Sequence, residues 1–376
     1  MLSTGLRPCN LEILSKAQDN RAVVPDSLTN RRRRWAHLLR SQKYEPIISD
    51  VLDEELPKYQ YSTVVDVTDR ISLMRECALI LSSAPSVFSA AVDGDLVRRL
   101  LTDTILQEEY AAVQERAHHQ PSIYIHLLAD DRGTPPTPSQ YLLMRDMVRE
   151  YLSQGPSSAD AYHIDNITPP TVTQYESSLG YRKYLHTTIR SPTRVATLHR
   201  FCAGIHSRCA SVAPPLLDTP FLHPPGECGY SKNSHVRLAQ HRSHKSSNYI
   251  LNLVEDIFTH LYRTDVLSQH FIMHQFIIYL LFRPSQAAIA EIFCSGLLQV
   301  WVDEGGGFNA YPAGRSVATA ARLGVHEWEQ YERWAREKSL LMEKMRIQRE
   351  KADEWRQALK WEESGDEDED EELEKP

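Results

Sequence analysis

Between Gly226 and Asn309 the chain runs through a succession of patterns that leaves it few ways to fold. It starts with GECGYSKNS, a glycine-bearing strand end or turn, and Ser231 or Asn233 can cap the helix that follows. On that helix Arg237 and His241 stand one turn apart and face the same way. In SSNYILNLVEDIFTHLY, Ile250, Val254, Ile257, Phe258 and Leu261 recur at the helical period, so this helix needs a surface to cover. HQFIIYLLF is short, apolar and rich in β-formers; it reads as a central strand stopped by Pro284. Ser285 then opens an apolar helix from Gln286 to Asp303, and Gly305-Gly306-Gly307-Phe308-Asn309 follows as a flexible turn. On the apolar helix Glu291 shares a side with Ala287, Ser295, Leu298 and Val302. A carboxylate there is costly unless it is paired or holds a metal, which makes Glu291 the first metal-ligand candidate.

Upstream, the patterns read as scaffold. TDRISLMRECALILSS and DGDLVRRLLTDTILQEEYAAVQERA both carry helical periodicity, and SIYIHLLA (122–129) reads as a buried strand. The loop DDRGTPPTP, a helix over Gln140–Leu152 and YHIDNI as a second strand suggest a small α/β unit, with His163 and Asp165 as a weak catalytic pair. His199, Cys202, His206 and Cys209 share one helical face, as a metal set or as the packed stripe of an amphipathic helix. Arg31 to Arg34 form a basic run, read either as a nuclear-import or nucleic-acid patch or as the exposed start of an amphipathic helix. The expected organisation is a basic, partly disordered segment at 1–60 and a helical and α/β scaffold at 61–210. A small mixed or antiparallel sheet flanked by helices follows at 211–320, then a long charged helix at 321–363 and an acidic disordered tail at 364–376. The fold class is α/β in the broad sense, α+β in the stricter one.

Charge matters chiefly through its placement. Residues 366–375 hold eight acids and one Lys, so seven of the formal −8 charges lie in the tail. From Ser177 to Val254 ten Lys and Arg face only Asp218 and Glu227, a local balance of +8 that suits a polyanion such as nucleic acid. Lys232, Arg242 and Lys245, with Tyr230 beside them, are the expected nucleic-acid contacts. Six scattered cysteines argue for reduced thiols, and no apolar run reaches a membrane span, so the expected setting is intracellular, nuclear or cytoplasmic, without membrane. On 321–361 Trp334, Leu341, Met345, Ala352, Trp355 and Leu359 fall on a heptad-like seam, suited to a coiled-coil partner helix or to docking on the body.

The run Gly229-x7-Arg237-x3-His241, an apolar helix and strand, a helical Glu291 and Gly-Phe-Asn309 resembles the GIY-YIG nucleases over about residues 216–318. The resemblance implies four roles: Arg237 steadies the scissile phosphate, His241 carries a proton or contacts phosphate, Glu291 binds the single divalent cation, and Asn309 shapes the site. It also implies Mg²⁺, with Mn²⁺ as substitute, and a nucleic-acid ligand, DNA before RNA. The first signature strand is expected near Leu216 or Leu217, where no Tyr stands, and Glu227 occupies the place of the second signature Tyr. Two functions follow as expectations: a divergent metal-dependent endonuclease, or a catalytically inactive nuclease-like module that binds nucleic acid or acts as a scaffold.

Overall fold

The computed structural model describes residues 26–153, 159–245, 248–314, 320 and 322–354. The disorder expected before residue 26, the acidic tail and the seam positions Trp355 and Leu359 lie outside them. The described fold is α+β: helices surround one three-stranded antiparallel sheet of order β2-β1-β3.

Helices α1 (Ser27–Arg40), α2 (Tyr44–Glu55), α3 (Arg70–Ser83), α4 (Ser86–Asp93), α5 (Leu96–Thr102) and α6 (Thr104–Arg116) precede β1 (Ser122–Ala129). Aspartates cap three of them, Asp26, Asp69 and Asp103 each accepting a backbone N–H of the first turn. The Arg31–Arg34 run is largely absorbed by this layer. Arg31 pairs with Glu54, Arg34 pairs with Asp50, and Arg32 is buried and donates to the Ala91 carbonyl.

After β1 come α7 (Pro138–Leu152), α8 (Ala159–Asp165), α9 (Gln174–Ser178) and α10 (Pro192–Ala210), then β2 (Gly226–Ser231), α11 (Ser234–Arg242), α12 (Tyr249–Arg263), β3 (Ile272–Leu280) and α13 (Gln286–Leu297). YHIDNI, expected as a strand, falls largely in α8. There Asp165 accepts hydrogen bonds from the Tyr151 hydroxyl and the Lys183 N–H, a structural role for a residue weighed as catalytic. On α10 Cys202 and Cys209 are buried while His199 and His206 are exposed, so the four do not converge; the stripe is one of packing. The strand HQFIIYLLF is an edge, not the centre. The centre is β1, every residue of which is buried because helices cover both of its faces. Ile123, Ile125, Leu127 and Ala129 enter one core with α1–α4 and α13, while Leu128 enters a second core with α7, α10 and α12.

The C-terminal charged helix is not continuous. Helix α14 (Val325–Lys338) ends where Ser339 turns extended, and helical residues 341–354 follow. The segment docks on the body: Trp328, Tyr331, Ala335 and the seam residue Leu341 are buried in the first core, and the seam residues Trp334 and Met345 pack against it. Tyr331 donates to the His119 carbonyl and Lys351 to that of Ser41. Of the described seam positions, Leu341, Trp334 and Met345 thus rest on the chain itself, while Ala352 is exposed. Among the described residues no single helix is long and apolar enough to cross a membrane.

One buried ion pair ties the N-terminal helices to the rest. Arg208 on α10, its side chain only 2% exposed, lies 3.2 Å from Asp26, donates 3.1 Å to the Gly305 carbonyl and stacks over Phe221. Removing one partner of such a pair strands a buried charge. Arg208→Ala is expected to cost about 3–5 kcal/mol in a denaturant titration; a loss below about 1 kcal/mol, the surface-pair range, overturns this account.

Candidate functional site

The site is built on the sheet face opposite the first core. In the β1–β2 register Tyr124 lies across from Gly229 and His126 across from Glu227, so all four positions share that face. Gly229 is required by contact: a Cβ there would sit 2.5 Å from the Tyr124 hydroxyl oxygen. Asn233 caps α11 through the Val236 N–H, and Ser234 bonds Ser122 at 2.7 Å, fixing the helix against β1. The one-turn spacing then brings Arg237 and His241 over the Tyr124 ring. Arg237 Nε donates to the Tyr124 hydroxyl at 3.4 Å, and His241 Nε2 lies 3.4 Å from the same oxygen.

The glycine run closes the other side. Gly307 bridges Gly226 in parallel, and the Phe308 N–H donates 2.8 Å to the Gly226 carbonyl, so the turn lines the edge of β2. Asn309 finishes that edge: its side chain accepts from the Cys228 N–H at 3.1 Å and donates to the Cys228 carbonyl at 2.9 Å. On α13 the Glu291 carboxylate accepts the Gly314 N–H at 2.8 Å and a backbone hydrogen bond from Tyr230. Asn248, the α12 cap, turns its amide toward Glu227 at 2.9 Å and the Phe308 carbonyl at 3.2 Å.

These elements enclose a cleft of about 640 Å³ lined by Tyr124, Glu227, Lys232, Arg237, Glu291 and Asn309, among others. Three of the four residues expected to act together, Arg237, Glu291 and Asn309, therefore share one wall-to-wall space. His241 does not line it; it is buried beneath Tyr124, too deep for direct contact with a phosphate. Lys232, Arg242 and Lys245 are exposed, but Arg242 is drawn to Gln275 at 2.7 Å on the β3 side. Tyr230 points the other way, into the first core, so its ring cannot stack on a base. Part of the basic stretch is also taken up by partners within the chain. Arg182 and Arg208 are buried, Lys183 pairs with Asp256 and Arg200 with Asp303.

The strand expected near Leu216 or Leu217 is absent there, where Pro214–Leu216 form a short 3-10 turn; the strand that pairs with β2 is Ser122–Ala129, and Tyr124 stands on it. Tyr124, His126, Glu227 and Asn248 were missed as site residues. The available signal was Ser122-Ile123-Tyr124 on a strand already evident in the sequence; residues 130–225 separate it from its partner strand and hid the connection.

Burial and charge set the protonation states. Burial, helped by the Glu227 charge, raises the Tyr124 phenol well above its ordinary range, with Arg237 opposing. Burial works against the Arg237 charge, but Tyr124, Glu227 and Glu291 outweigh it and raise its pKa. Burial also raises Glu227, yet contacts with His126, His241 and Asn248 prevail and hold it down at about 2. His241 falls to about 4, chiefly through burial. Burial raises Glu291, only partly offset by the N–H groups of Gly314 and Tyr230. A desolvated carboxylate beside a guanidinium and a phenol can hold a hard divalent cation and an anion together.

Because the folded pKa of Glu291 exceeds its unfolded value of about 4.3, its ionisation weakens the fold as pH rises through the folded value and costs nothing below the unfolded one. In EDTA, Glu291→Gln is expected to melt above wild type at pH 7, with the gap closing toward pH 4. Equal melting temperatures at pH 7 would contradict the assigned desolvation.

Comparison with protein-family models, with curated proteins and with solved structures finds no match for this chain. The functional reading therefore rests on the geometry of the cleft.

Proposed function

We propose that this protein is a divergent metal-dependent endonuclease of the GIY-YIG type, hydrolysing phosphodiesters of nucleic acid, DNA before RNA. The observation that carries the reading is the meeting of Tyr124, Arg237, Glu291 and Asn309, from four separate chain segments, around one cleft of about 640 Å³. Tyr124 supplies a tyrosine on the first strand, the feature that the sequence comparison lacked.

The residues divide the work by their chemistry. Arg237, charged and half-buried, presents a guanidinium that can take two non-bridging oxygens of a phosphodiester in a fixed plane. Its Nε already orients the Tyr124 hydroxyl, which can in turn orient the attacking water by a hydrogen bond. Asn309 keeps the β2 edge rigid, so the phenol and the guanidinium stay within the narrow tolerance that an in-line attack demands. Glu291 fits Mg²⁺ or Mn²⁺ by its hard oxygen donors at the cleft wall; such an ion, with water and phosphate completing its shell, supplies Lewis-acid stabilisation of the departing charge. Lys232 at the cleft edge adds positive field along an approaching strand.

The test is cleavage of plasmid, branched and single-stranded DNA, and of RNA, by the full chain with Mg²⁺ or Mn²⁺. Arg237→Ala is expected to lower turnover by about 10²–10³-fold and Tyr124→Phe by about 10²-fold, while Glu291→Ala abolishes the metal-dependent cleavage. Salt-sensitive binding with no cleavage of any substrate would instead favour an inactive nucleic-acid-binding module, in line with Glu227 at the second signature position.

A further inference from the structure

Beneath the cleft floor lies a cluster that the proposed phosphodiester chemistry does not use. His126 on β1, Glu227 on β2 and His241 on α11 are all buried, and one ligand atom from each lies within 4.8 Å of the others. His126 Nδ1 is 2.9 Å and His241 Nδ1 3.7 Å from the same carboxylate oxygen, Glu227 Oε2. These contacts are close but misdirected as hydrogen bonds. Glu227 Oε2, His241 Nδ1 and both ring nitrogens of His126 have no aligned hydrogen-bond partner. Buried polar atoms are seldom left so, and three of them turned on one small volume suggest an occupant that accepts lone pairs rather than protons.

We infer that His126, Glu227 and His241 form a site for a transition-metal ion, Zn²⁺ by preference, separate from the Glu291 carboxylate. The donor set is two imidazoles and one carboxylate, which suits a borderline ion; the hard cations Mg²⁺ and Ca²⁺ favour all-oxygen shells. Its ligands come from three different elements, so the ion would join β1 and β2 to the helix that carries Arg237. The surrounding contacts have the form of an outer shell. Asn248 holds Glu227 Oε1 at 2.9 Å and leaves Oε2 for the ion. With Nδ1 of His241 bound, its Nε2 keeps the proton and faces the Tyr124 hydroxyl at 3.4 Å. The ion would thereby fix that tautomer and give the phenol a second donor beside Arg237 Nε. Glu227 lines the cleft, so water or a cleft ligand can complete the coordination.

The site stands independently of the nuclease reading, and the experiment reads metal rather than cleavage. Full-length protein stripped with EDTA is titrated with Zn²⁺ against a chromophoric chelator, and with Co²⁺ by visible absorption. One Zn²⁺ per chain, bound tighter than about 1 μM, is expected, with a rise in melting temperature on Zn²⁺ addition. Glu227→Gln and the near-isosteric His126→Asn should each weaken binding by at least about 100-fold. Glu291→Ala should keep the wild-type zinc affinity. Wild-type protein that folds but takes up no stoichiometric Zn²⁺ overturns the proposal, whatever the variants do. So does zinc binding that survives Glu227→Gln or is lost with Glu291→Ala.

Discussion

The contact of the Tyr124 phenol with Gly229 is the constraint on which the site depends. It requires β1 and β2 to pair in one register, because a slip of one residue would send Tyr124 and His126 to the opposite face. It requires glycine at the facing position, because any side chain there would take the space of the hydroxyl. It also sets the height at which α11 can cross the sheet, and so where Arg237 and His241 arrive. The Ser122–Ser234 bond holds the start of that helix in the matching place.

Around this contact the rest of the chain acts as clamp and cover. The glycine run presses against β2 where no side chain could pass: a Cβ on Gly307 would overlap the Gly226 carbonyl oxygen. Asn309 then satisfies the backbone groups of Cys228 that an edge strand would leave open. Residues 130–225, between the two paired strands, build the second core rather than interrupt the first. Their helices bury Leu128 and the apolar faces of α10 and α12, and Arg208 returns the insertion to the N-terminal helices. The C-terminal segment seals the first core with Trp328, Tyr331 and Leu341. The cleft thus sits on rigid elements, as the proposed chemistry needs.

The legible part of the site was the part written locally. Arg237 and His241 are set by a four-residue spacing, Asn233 by capping chemistry, and Glu291 by its cost on an apolar helix. Tyr124 was illegible because a tyrosine in an apolar strand carries no mark of which face it takes until a partner strand is known. Tyr230 misled for the same reason: beside a glycine and basic residues it looked available, yet strand alternation turns it into the core. The charge count overstates the free positive surface for a different reason. Net balance sums residues irrespective of partners, and Asp26, Asp256 and Asp303, which neutralise Arg208, Lys183 and Arg200, lie far away in the chain.

By itself the sequence determined the local elements: the apolar strands, the caps and spacing of α11 and α12, and the helical register that carries Glu291, since each follows from a periodicity of a few residues. Tertiary structure alone decided which strand stands at the centre, that Tyr124 meets Arg237 across the sheet, and that His126, Glu227 and His241 gather below it. Those outcomes depend on pairing between segments far apart in the chain. Pairing of that kind is chosen by the burial of both sheet faces at once, which no short window of sequence contains.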